Sequence, residues 1–112
     1  MLNLATDIAS KLPHHYKLCA IVTDKKGNIL GIGTNSYTKT HPKQKHYATR
    51  VGEQERIYLH AELDAIIKSR TGDPYRIYIS RANKAGTGSA KPCRICELAI
   101  KEAGIKEIHY TI

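Results

Sequence analysis

The chain has 112 residues, enough for one domain with a modest core. Its formal net charge of +8 favours an anionic partner such as a nucleotide phosphate, DNA or RNA, although a solubilising surface would give the same composition. No run approaches the roughly 18 apolar residues of a membrane span. No basic stretch leads into a long apolar one, and three cysteines are too few for a disulfide framework, so a cytoplasmic protein with no membrane partner is expected.

There is no Trp and no Phe, so seven Tyr supply the aromatic bulk and aliphatic residues must fill the core. Residues 4–12 place Leu4, Ala5, Ile8, Ala9 and Leu12 on one helical stripe after Asn3, a suitable N-cap, and Pro13 closes that helix. Residues 18–23 form a short apolar run typical of a buried strand. The turn at 24–28 leads into a second strand at 29–34, making a hairpin. Gly31 and Gly33 within it predict a bulge or a close backbone approach.

Residues 35–58 are polar and break all periodicity, which predicts a long loop, and long loops in compact domains are usually functional or mobile. From Leu59 a helix with Leu63, Ile66 and Ile67 on its buried stripe runs to Thr71-Gly72, and Asp73-Pro74 turns the chain. Residues 75–80 alternate as a strand, and 81–91, with Gly86 and Gly88, read as a flexible loop. A further helix buries Ile95, Leu98 and Ala99 and stops at Gly104, before a last strand at 105–112. Strands alternating with helices favour a sheet with helices over its faces.

The chemistry concentrates in two short stretches: His60-Ala61-Glu62, and Pro92-Cys93-Arg94-Ile95-Cys96. Together they offer one imidazole and two thiolates to a metal, plus a carboxylate that need not be a ligand. Tetrahedral Zn²⁺ accepts such donors, and three protein ligands leave a fourth position for water. Cys93 and Cys96 are three apart, so their sulfurs share one side of a first helical turn, and Pro92 suits the start of that helix. The positive end of the helix dipole helps hold both as thiolates. His60 and Glu62 are two apart and can converge only at the mouth of a helix, which predicts two helix N-termini aimed at one ion. Taken singly, C-x-x-C is equally a redox pair or a structural zinc knuckle, and His-x-Glu an exposed helix start. A closed structural site would need a fourth ligand, for which His41, His46, His109 or Cys19 are available.

In this order, with Pro before the first Cys, the two stretches resemble the zinc-deaminase signature H-x-E followed by P-C-x-x-C. The chain is identified as a member of the cytidine deaminase superfamily. Its His form of the first stretch is closer to deoxycytidylate, tRNA-adenosine and polynucleotide cytidine deaminases than to free cytidine deaminases, which usually carry Cys there. The run from Thr34 to Pro42, with the later motifs, is similar to small dCMP-deaminase-like proteins of phage and bacterial type.

The resemblance implies a single zinc deaminase domain over residues 1–112. Its fold would be a three-layer α/β/α sandwich cut down to about four strands and three helices. It implies Zn²⁺ on His60, Cys93 and Cys96, Glu62 as proton shuttle, and a hydrogen bond from the Ala61 backbone to the base carbonyl. Asn35 falls where many relatives place an Asn against the sugar, and is otherwise a turn residue. His41 and Tyr47 are candidates for a pocket wall or base stack, and otherwise surface loop residues. Arg81 and Arg94 are candidate phosphate contacts, and otherwise solvated charges. Relatives usually continue into a fifth strand and further helices. A sheet ending at the fourth leaves an edge exposed, so a homo-oligomer is expected.

Three functions fit: deamination of a free cytosine nucleotide or nucleoside, most simply dCMP; deamination of cytosine or adenine in single-stranded DNA or RNA; and a non-enzymatic zinc-stabilised interaction module, in which Glu62 would be dispensable.

Overall fold

In the computed structural model, which describes residues 1–112, the chain runs α1 (Leu2–Ser10), β1 (Lys17–Thr23), β2 (Ile29–Thr34), α2 (Pro42–Arg50), α3 (Ala61–Lys68), β3 (Arg76–Asn83), β4 (Gly86–Gly88), α4 (Arg94–Glu102) and β5 (Glu107–Tyr110). The five-stranded sheet has the order β2-β1-β3-β4, with β5 also on β3. β1 pairs antiparallel with β2 on one side and β3 on the other. β4 and β5 divide the outer edge of β3, β5 taking Arg76 to Ile79 and β4 taking Arg81 to Asn83. β5 runs parallel to β3, which needs a crossover, and α4 supplies it.

The apolar run of β1 is continuous because both its faces are covered. Cys19 and Ile21 pack with Ala5 and Ala9 of α1, while Ala20 and Val22 pack with Ala61 and Ala65 of α3 and Ile100 of α4. On β3, Ala82 lies among the α1 cluster and Ile77 and Ile79 face the other helices. The expected three-layer α/β/α sandwich is therefore present, with α1 alone on one face.

One helix and one strand more than expected are found, each for a local reason. Pro42 breaks nothing, because it occupies the first turn of α2, where a missing N–H costs no hydrogen bond. His41 caps this helix, its Nδ1 accepting from the Lys43 N–H at 3.0 Å. The buried residues of α2 are Gln44 and Ala48, so no apolar stripe announces it. The expected loop at 81–91 instead extends β3 and turns back as β4, with Gly86 at φ 120°. Smaller shifts occur at the ends. α1 starts after Met1 rather than Asn3, and regular pairing of β5 stops at Tyr110.

The two β2 glycines do both things expected of them. The pairing with β1 shifts register opposite Gly31, between Val22 and Thr23. In addition, a Cβ on Gly31 would run into the Ala65 carbonyl, and one on Gly33 into the Ala61 carbonyl and the Ala65 nitrogen. The bare backbone of β2 is what lets α3 lie against it.

Candidate metal centre and active site

Each of the two stretches sits at a helix mouth. His60 is the N-cap of α3, with Glu62 in its first turn. Cys93 is the N-cap of α4, with Cys96 in its first turn. Extended backbone at the caps (ψ 153° at His60, ψ 172° at Cys93) turns both side chains off the helix axes. The ligand-type atoms of His60, Cys93 and Cys96 all lie within 4.8 Å of one another. His60 Nδ1 is 3.3 Å from Cys96 Sγ and 3.5 Å from Cys93 Sγ. Ordinary Zn–N and Zn–S bonds at a tetrahedral angle put nitrogen and sulfur about 3.6 Å apart, so the donor set fits zinc.

The titration behaviour of the cluster fits as well. The Cys93 thiol is pushed down to about 3, foremost by its hydrogen bond with Cys96 and, against the effect of burial, by the His60 ring. Cys96 is pushed well above the usual thiol range by the same bond to Cys93 and by burial. These opposite shifts describe one proton shared by two sulfurs, which a divalent cation displaces because thiolate is the ligating form. Burial pulls the His60 imidazolium down, but the bond to and charge of Cys93 outweigh it and the net shift is upward.

Glu62 is 5% exposed. Burial raises its carboxyl above the usual range, with His60 opposing and the Cys93 charge adding. A carboxyl raised in this way takes up a proton more readily than an ordinary one, which suits a group that must both accept and return protons. α3 begins without a side-chain cap, so the positive end of its dipole is not met by a capping side chain.

A pocket of about 510 Å³ opens onto this cluster, within the usual range for small-molecule sites. His60, Glu62 and Cys93 form one part of its lining, Tyr16, Tyr37 and Tyr58 its aromatic walls, and Glu55, Arg56 and Lys91 its charged rim. Asn35 also lines it, 8% exposed, with Oδ1 accepting from the Leu18 N–H at 2.9 Å and Nδ2 donating to the Tyr16 carbonyl at 2.8 Å. Ala61 is fully buried at the start of α3 and its side chain does not line the pocket.

The other sequence candidates stand apart from the pocket lining. His41 caps α2, and Tyr47 packs against the cluster that contains Leu63 and Cys96. Arg94 is exposed on the first turn of α4. The Arg81 guanidinium lies over the Tyr16 ring at 4.4 Å and so backs a pocket wall.

Arg56, Tyr58 and Tyr16 were not singled out by the sequence reading. One local signal points to Arg56 and Tyr58, though not to Tyr16: residues directly before the two helix starts have to frame the mouth, as 55–59 do before His60 and 90–91 before Cys93. Gln44 was missed too. It is fully buried, its Oε1 accepting from the His60 N–H at 3.1 Å and its Nε2 donating to the Arg56 carbonyl at 3.2 Å.

Over residues 1–112 the sequence matches the family described as the cytidine and deoxycytidylate deaminase zinc-binding region. No curated protein matches the chain. Among solved structures, dCMP deaminase from the cyanophage S-TIM5 in complex with dCMP and dUMP is similar, with a TM-score of 0.56, 23% identity, and coverage of 97% of this chain and 76% of that one. The apo form of the same enzyme gives 0.54, 21%, 97% and 75%. At these identities the likeness is one of fold. Zinc, the cofactor expected from the sequence, is the metal of the matched family, and His60, Cys93 and Cys96 form a group positioned to bind it. The chain thus belongs to the cytidine and deoxycytidylate deaminase family.

Proposed function

We propose that this protein hydrolytically deaminates cytosine in a free deoxynucleotide, of the dCMP to dUMP type. The observation that carries the reading is one pocket lined at one part by a buried carboxyl (Glu62) and by His60 and Cys93 of the metal cluster, with Arg56 and Lys91 beside Glu55 at the rim. The description of the cyanophage relative as a complex with dCMP and dUMP supports a nucleotide substrate.

His60, Cys93 and Cys96 would hold zinc, which when bound acidifies a water and supplies a nucleophile at neutral pH. Glu62 takes the proton of the attacking water and passes it to the ring nitrogen next to the reacting carbon. Glu62 then takes the proton of the hydroxyl now bonded to that carbon and delivers it to the exocyclic amine, which leaves as ammonia as the carbon–nitrogen bond breaks and the carbon–oxygen bond becomes a carbonyl. The start of α3, around Ala61, would orient the base carbonyl through its backbone and helix dipole. Asn35 presents its remaining hydrogen-bonding capacity to the sugar, and the tyrosine walls cover the base. Arg56 and Lys91 anchor the phosphate, with Arg81 holding the Tyr16 wall by stacking. Arg94, Tyr47 and His41 act at most from outside the pocket.

Three half-exposed tyrosines beside Arg56 and Lys91 also favour a second reading, a single-stranded nucleic acid laid across the mouth. Three free cysteines support a reducing, cytoplasmic setting, and exposed Ile108 and Tyr110 on β5 support a homo-oligomer.

Mass-spectrometric product analysis across dCMP, deoxycytidine, dCTP, adenosine and single-stranded oligonucleotides tests the proposal. Turnover of dCMP is expected to exceed that of deoxycytidine. The Arg56→Gln, Lys91→Gln double variant should raise KM for dCMP and leave deoxycytidine turnover unchanged. Deamination of oligonucleotides alone, with a salt slope of about −0.7 per phosphate contact, would replace the first reading by the second.

A further inference from the structure

We propose that Gln44 is a positioning residue of the metal centre: it fixes the peptide that carries the His60 ligand, making α2 a brace between the two ligand-bearing helices. The inference rests on the reading of His60, Cys93 and Cys96 as the zinc ligands.

Gln44 is fully buried and both ends of its amide are committed to the segment that leads into the site. Its Oε1 accepts from the His60 N–H at 3.1 Å, and its Nε2 donates to the Arg56 carbonyl at 3.2 Å. Residues 51–60 form no helix and no strand longer than the single bridge between Thr40 and Tyr58; Leu59 is tied to the 36–39 segment through its N–H and its carbonyl, and Gln44 supplies the bond to the N–H of the ligand residue itself. The His60 carbonyl is separately held by the Asp64 N–H at 3.0 Å. With nitrogen and carbonyl both tied, the His60 backbone is restrained in the position from which its ring reaches the two sulfurs.

The other end of α2 is attached to the helix carrying the cysteines. Ala48 packs in one cluster with Ile95, Cys96 and Ala99, and Arg50 pairs with Glu102 at 2.6 Å. α2 therefore touches the imidazole half of the ligand set through Gln44 and the thiolate half through Ala48. A polar residue buried in an otherwise apolar contact makes sense if its two hydrogen bonds are what the position is for.

The test compares the parent with Gln44→Met, which keeps the volume and loses both bonds, and Gln44→Glu, which keeps an acceptor for the His60 N–H. Ile77→Val, in the sheet core away from the site, serves as a control for general destabilisation. Zinc release into a chromogenic chelator and the visible spectrum of the Co²⁺-substituted protein are read alongside thermal stability. Gln44→Met should release zinc about 10–100-fold faster, the range for loss of an outer-shell partner, and shift the Co²⁺ bands. Gln44→Glu should recover part of both, and Ile77→Val should change neither.

Parent-like zinc release and Co²⁺ bands in Gln44→Met would overturn the proposal. If neither Gln44 variant folds, amide exchange in the parent decides: a slowly exchanging His60 amide is expected, and one exchanging at the rate of an unstructured chain overturns it. A parent that binds no zinc would instead remove the metal reading, while His60 exchange would still report on the Gln44 bond.

Discussion

The backbone of Gly33 in β2 lies against the Ala61 carbonyl at the first turn of α3, with no room for a Cβ between them. This contact sets the distance from the sheet to the helix whose cap is His60 and whose first turn carries Glu62. The metal centre thus depends on a residue with no side chain. Gly33→Ala should force α3 away from the sheet, costing about 1–3 kcal/mol as overpacking does. It should also weaken zinc retention and activity by moving the helix mouth. Gly52→Ala makes a suitable comparison: Gly52 has φ 78° but nothing near its Cβ position, so only the left-handed strain of roughly 1–2 kcal/mol is added. Chemical denaturation together with bound-zinc measurement distinguishes them, since Gly52→Ala should lose stability and keep zinc.

What could be read in the chain beforehand was what is local. His60, Glu62, Cys93 and Cys96 are recognisable because metal and proton chemistry demand those residue types at short spacings, each set within one helix mouth. The hairpin of β1 and β2 and the stripes of α1, α3 and α4 follow from periodicity. α2 escaped because its inward face carries Gln44 where a stripe would carry an aliphatic residue. Arg56 and Lys91 stand directly before the two helix starts, but the arrival of Tyr16 in the same pocket depends on long-range packing that no spacing records. Asn35 is partly both: its place after β2 was visible, but its bonds to Leu18 and Tyr16, across the hairpin, were not.

The three thiols should differ sharply in reactivity once metal is removed. Burial first, and the charge of Asp64 second, push the Cys19 thiol up to about 12, so almost no thiolate exists there at neutral pH. Cys93, down at about 3 and only partly buried, is the ready nucleophile. With zinc bound, iodoacetamide is expected to label the folded protein slowly. After chelation it should modify Cys93 first and Cys19 only on unfolding. Peptide mapping reads the sites, and early labelling of Cys19 in folded protein would contradict its buried, neutral state.

The tie between β3 and β5 gives a pH dependence with a definite sign. Arg76 and Glu107 are register partners, with Arg76 Nε donating to Glu107 Oε1 at 3.0 Å, and His109 lies 3.2 Å from the same oxygen. Arg76 foremost, then His109, hold the Glu107 carboxyl below its ordinary value. A depressed carboxyl contributes stability above its unfolded pKa and loses it as pH falls through the folded one. The pair is partly exposed, so the effect should be small. Glu107→Gln is expected to lower Tm at neutral pH and to match the parent well below the carboxylate range. A Tm difference that persists unchanged into acid would show that the lost contribution is not ionic.

Glu62 separates an enzyme from a zinc-stabilised module. It is buried at the metal cluster, with its carboxyl raised by that burial, and nothing in the packing of α3 requires a charge there. Glu62→Gln preserves the shape of the side chain and removes only its ability to exchange a proton. Elemental analysis of the variant should still give about one zinc per chain, since three protein ligands suffice for a catalytic site. Its thermal stability should stay close to that of the parent. Deamination of dCMP should fall by about 10²–10⁴-fold, the usual contribution of a positioned acid–base group, and further if one carboxyl serves several transfers. The Cys93→Ala, Cys96→Ala variant should differ in kind, losing zinc and stability together because the site and both helix starts are coupled. A Glu62→Gln protein that turns over dCMP at the parent rate would remove Glu62 from the mechanism, and a parent inactive on every cytosine and adenine substrate would leave the structural module as the reading to pursue.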